Sequence, residues 1–99
     1  MSFFKSLSQN AMLSDVFRHN WEKAGYLIAM AEEICLGQSE LSRAELEVLE
    51  AYCSKLNECQ YCYQLHNEMA QVYGEEGELV TALFEDIDTA PTNEKIKAL

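Results

Sequence analysis

The sequence predicts an all-α fold, a compact helical domain, on three observations. One proline and four glycines in 99 residues leave few helix breakers. Alanine, leucine, glutamate and methionine, all strong helix formers, recur along the chain. No run of β-branched residues alternates long enough to build a sheet.

Taken in order, the first helix is expected from about Ser14, with Asp15 in its first turn. Val16, Ala24, Leu27, Ala31 and Cys35 recur at helical spacing until Gly37 stops the pattern. Ser42 and Glu45 form a capping box, in which the serine accepts a first-turn amide and the glutamate reaches back. The helix they start carries Leu46, Leu49, Cys53 and Leu56 along one side and breaks at Asn57 and Glu58. A third helix begins near Cys59, with Asn57 as its N-cap, and runs to Tyr73 before Gly74. A shorter one fits residues 78–85, with Leu79, Ala82 and Leu83 apolar. After a loop over residues 86–91, Thr92 to Leu99 reads as the first turns of another helix. The chain stops while that pattern is running, which suggests truncation or a last helix that docks on a neighbouring subunit. With no repeat or low-complexity linker, residues 1–99 read as one domain.

Composition excludes several function classes. Seventeen acidic against seven basic residues give a net charge of -10, so the basic footprint of a nucleic-acid binder is missing. The same charge argues against anionic membrane surfaces. The longest apolar stretch, around residues 26–31, is far too short to span a bilayer. Met1-Ser2-Phe3-Phe4-Lys5 lacks the features of a secretory signal, so a cytoplasmic location is expected. A domain this short buries a modest core, and subunit packing is expected to supply part of its stability. In a reducing compartment, the four cysteines (Cys35, Cys53, Cys59 and Cys62) point away from a disulfide framework. A close pair there points to catalysis, redox sensing or a metal.

That close pair is Cys59-Gln60-Tyr61-Cys62, followed by His66. Two thiols three residues apart can close a disulfide within one turn, most easily in the first turn of a helix. Free amides and the positive dipole end at a helix start favour thiolate over thiol. His66 lies four residues after Cys62, on the same face, where an imidazole can take or return the thiol proton. Glu47 shares its helix face with Ala51 and Ser54, small neighbours that let another helix come close and enclose the carboxylate. Facing His66, it would orient the ring and raise its basicity. Cys59, Cys62, His66 and Glu47 are therefore the candidate catalytic residues. These side chains suffice without a cofactor or a resident metal ion.

Each reading has a rival. The thiols can be small buried hydrophobes, and Glu45, Glu47 and Glu50 can form one solvated face. Zinc would recruit Cys59, Cys62 and His66 with Cys53 or a glutamate, although no second ligand pair follows His66. Cys35, Cys53, Met12, Met30 and Met69 read as core. His19 reads as surface, and Tyr61 and Tyr63 either wall the site or pack.

The stretches Leu41-Ser42-Arg43-Ala44-Glu45-Leu46-Glu47 and Leu56-Asn57-Glu58-Cys59-Gln60-Tyr61-Cys62, with His66 after them, carry a family pattern. Together they resemble the alkylhydroperoxidase D-like branch of the carboxymuconolactone decarboxylase family. The strong part covers residues 41–66, and Asp88-Thr89-Ala90-Pro91 with the six residues from Glu94 also resembles peroxidase-related members. The chain departs from the pattern at Glu58, where glycine is common, at Gln60 and Tyr63, and in its short last helix. The resemblance implies an all-helical subunit that assembles as trimers or hexamers. It further implies reduction of peroxides by a Cys-x-x-Cys dithiol. Glu47 and His66 would relay a proton to Cys62, and Cys59 would complete the disulfide. A dithiol partner such as a lipoyl-bearing protein or a peroxiredoxin would then restore the thiols. The lactone reaction is disfavoured, because the decarboxylase branch lacks the cysteine pair. The alternatives outside this enzyme class are a redox-sensing adaptor and a zinc-binding helical module.

Overall fold

The structure, a computed structural model, describes residues 4–99. Part of the reading of the N-terminus falls on residues 1–3, outside the described residues. Among the described residues every regular element is a helix: α1 (Leu13–His19), α2 (Trp21–Leu36), α3 (Arg43–Leu56), α4 (Gln60–Val72), α5 (Leu79–Glu85) and α6 (Glu94–Ala98). They fall into two compact units, one ending at Gln38 and the other spanning Ser39–Leu99. No described helix is long and apolar enough to cross a membrane.

In the first unit, Asp15 accepts the Met12 N–H at 2.9 Å and starts α1. The single long helix expected from Ser14 is instead two. Asn20 leaves helical geometry, at φ -143 and ψ 70, and its carbonyl restarts the ladder by accepting from the Ala24 N–H. Asparagine tolerates such non-helical backbone, although its side chain makes no capping bond here. The break resets the helical phase, so the expected stripe is not continuous. Ala24 is buried and Val16 and Cys35 are half-buried, but Leu27 and Ala31 face solvent. Met12 and Met30, expected in the core, are also exposed, and His19 lies at the surface as expected.

The second unit carries the described core of Val48, Ala51, Ala70, Leu79, Val80, Leu83, Ala90 and Ile96. Its first helix starts on the expected capping box: the Glu45 N–H donates to Ser42 Oγ, and the Ser42 N–H to Glu45 Oε2. The helix ends in a Schellman turn, with Glu58 N–H bonded to the Lys55 carbonyl and Cys59 N–H to the Ser54 carbonyl. The residue in the left-handed position of that turn is Glu58, at φ 56. Three residues therefore suffice to fold α4 back against α3. Ala51, fully buried, and Ala70 let the two helices approach closely. A second Schellman turn, built on Gly74 at φ +103, ends α4. Asn93 caps α6 by accepting the Ile96 N–H, and Ile96 enters the core.

Candidate functional site

Cys59 belongs to two elements at once. Its backbone N–H closes the turn that ends α3, and it is the N-cap residue of α4. Asn57, expected in that capping role, instead ends α3. The Schellman turn causes the shift, because its last hydrogen bond holds Cys59, not Asn57, at the threshold of the next helix. Cys59 Sγ accepts the Cys62 N–H at 3.4 Å, so the sulfur takes the place an oxygen holds in an ordinary N-cap. Cys59 and Cys62 are joined as a disulfide, with Cα atoms 5.4 Å apart. A helix interior would resist such a link, but the first turn accepts it because Cys59 itself is not helical.

His66 lies one turn beyond Cys62 on the same face of α4. Its Nδ1 sits 2.8 Å from Glu47 Oε2 and 3.0 Å from Glu50 Oε2. Both are carboxylate acceptors, so Nδ1 carries the proton and Nε2 is the nitrogen left for exchange. Glu47 is 4% exposed and is also bound by Arg43, whose guanidinium lies 3.3 Å from Oε1. Arg43 in turn stands over the Tyr73 ring, 5.7 Å from its centroid. A buried carboxylate needs such partners, and this one has a cation on one oxygen and an imidazole on the other. Reading the three glutamates as one solvated face therefore fails, since Glu47 is buried and Glu45 and Glu50 are half-buried.

The sequence reading did not single out Arg43 and Glu50. Their signal was helical spacing: Arg43 lies four residues before Glu47 and Glu50 three after it, all on one face. The other expectations divide. Tyr63 packs against the core and lies under the Lys55 ammonium, whereas Tyr61 is exposed. Cys53, expected in the core, is exposed in the wall of an open cleft of about 350 Å³. Leu49, Tyr52 and Leu56 line that cleft from the same helix, on the side turned away from Glu47 and Glu50. Cys35 is half-buried.

Comparison with protein-family models, curated proteins and solved structures returned no match. The chemistry of the site therefore rests on its own residues. A dithiol at a helix start can cycle between thiol and disulfide. The imidazole behind it is held in one tautomer by two carboxylates, an arrangement suited to moving a proton.

Proposed function

We propose that the protein is a thiol-dependent peroxidase of the alkylhydroperoxidase D-like type, reducing peroxides through a Cys59–Cys62 dithiol/disulfide cycle. The observation that carries this reading is the placement of the disulfide in the first turn of α4, one turn before a histidine held by Glu47. His66 Nε2 takes the Cys62 proton, and the thiolate attacks the distal oxygen of a hydroperoxide. The O–O bond breaks, Cys62 becomes a sulfenic acid, and the alkoxide leaves as an alcohol with the proton returned from His66. The Cys59 thiol then displaces water from that sulfenic acid to give the disulfide. An external dithiol attacks Cys62 Sγ and expels Cys59, whose thiolate is stabilised by the Cys62 N–H and the helix start. Exchange with the second thiol of that partner leaves both cysteines reduced and the partner oxidised.

A dithiol carrier such as a lipoyl-bearing protein suits this cycle better than a monothiol, because its second thiol resolves the mixed disulfide without a further encounter. A peroxiredoxin is the other partner of matching chemistry. We assign the chain to a homo-oligomer, a trimer or a hexamer. In support, α2 exposes Trp21, Tyr26, Leu27, Met30 and Ile34, more apolar surface than one amphipathic helix ordinarily leaves to water. The test is steady-state peroxide consumption with dihydrolipoamide as reductant. Turnover that is lost in Cys62→Ser and in Cys59→Ser supports the reading, and absence of turnover in the parent refutes it.

A further inference from the structure

The cluster around His66 carries a second possibility that the peroxidase cycle does not use. Glu47 and Glu50 from α3 and His66 from α4 each offer a ligand atom, and these atoms all lie within 4.8 Å of one another. We propose that these three side chains form a zinc-class divalent cation site, in which the ion replaces the proton now shared between His66 Nδ1 and the two carboxylates.

The distances support the exchange. Zinc bound at about 2.0–2.1 Å to nitrogen and oxygen in a tetrahedron holds its ligand atoms about 3.3 Å apart. The two nitrogen–oxygen separations are 2.8 and 3.0 Å. Lengthening these two contacts by about 0.3–0.5 Å, with the two carboxylate oxygens, which lie within 4.8 Å of each other, brought to the same spacing by side-chain rotation, converts the hydrogen-bonded triad into a ligand triad. Charge also permits it. Arg43 engages Glu47 through Oε1, and His66 engages it through Oε2. The two carboxylates supply negative charge beside the imidazole, and the guanidinium offsets part of it. The donor set, one imidazole nitrogen with two carboxylate oxygens, selects zinc-like ions over magnesium or calcium, which take oxygen ligands. When the ion binds, the Nδ1 proton moves to Nε2 or leaves to solvent, and Nδ1 gives its lone pair to the metal. The fourth position is filled by water. The site differs from the zinc alternative read from the sequence, because it needs no thiol and persists with Cys59 and Cys62 oxidised.

Zinc binding is measured by competition with a chromophoric chelator, using the full chain carrying Cys35→Ser and Cys53→Ser, with the Cys59–Cys62 disulfide intact. The expected result is one zinc per chain, with a dissociation constant on the order of 10 µM or tighter. Glu50→Gln and His66→Gln should each weaken it by about tenfold or more, with unchanged helical circular dichroism. X-ray absorption of the loaded parent should show imidazole nitrogen and oxygen but no sulfur, a readout that does not depend on any variant folding. Less than half an equivalent bound at about 100 µM zinc overturns the proposal, as do a sulfur shell or either variant binding like the parent. Inhibition of peroxide turnover by zinc is a separate arm that rests on the proposed function. If turnover is absent, the binding arms still decide the metal site.

Discussion

Replacing Glu45 by glutamine removes one charge while keeping the capping geometry, because either residue serves at the third helical position of a capping box. Glu45 Oε2 accepts the Ser42 N–H at 2.7 Å and lies 3.0 Å from Lys95 Nζ, and Oε1 accepts from Asn93 at 2.9 Å. These contacts, the Ser42 backbone bond foremost, then Lys95 and Asn93, lower its pKa from 4.5 to about 2. They also tie α6 to the start of α3. The shift sets a ceiling of about 3 kcal/mol at neutral pH. Lys95 is nearly half exposed, so water screens the pair and reduces the contribution to about 1 kcal/mol. The folded pKa is depressed, so the contribution is fully present above about 4.5 and is lost as pH falls through about 2. Urea denaturation of the parent and Glu45→Gln should therefore differ by about 1 kcal/mol at pH 7 and converge as pH approaches 2. Reading the difference cancels the other acidic groups, which titrate in both proteins. An equal difference at pH 7 and pH 2, or none at pH 7, would refute the reasoning.

Other perturbations give equally direct readings. Glu58→Gly should leave stability unchanged or raise it by up to about 1 kcal/mol, since glycine relieves the left-handed backbone at φ 56. A fall in the urea midpoint would contradict that. Leu83→Ala, in the buried core of the second unit, should cost about 2–4 kcal/mol in the same experiment, and a loss under about 1 kcal/mol would show a collapsible site. His66→Gln should slow single-turnover oxidation of the reduced dithiol by peroxide about 10²-fold at neutral pH. The deficit should shrink at alkaline pH, where the thiol ionises without a base. An unchanged rate at neutral pH would remove His66 from the relay.

Much of the second unit was legible because its signals are local. Ser42 and Glu45 announce the start of α3, Asn57 and Glu58 its end, and Gly74 the end of α4. The meeting of Glu47 with His66 followed from Ala51, since a small residue on the Glu47 face lets α4 come close enough to enclose the carboxylate. The double role of Cys59 was not legible. Asparagine is the better N-cap by side chain, and the Schellman turn that displaced it depends on a left-handed glutamate, which residue preference disfavours. The break at Asn20 was hidden by the apolar pattern running across it, because periodicity does not register the backbone angles of one polar residue. Cys53 was misplaced for a related reason. Leu46, Leu49, Cys53 and Leu56 form a helical stripe, but a stripe gives direction and not depth, and its lower end borders an open cleft.

The most direct test of the central claim is a thiol count on the fully reduced protein before and after one equivalent of hydrogen peroxide, with peptide mass mapping of the product. The account predicts loss of two thiols as a Cys59–Cys62 link, while Cys53, exposed in its cleft, and Cys35 remain reduced. Thiols at Cys59 and Cys62 that survive the oxidant, or oxidation that falls on Cys53 first, would contradict it.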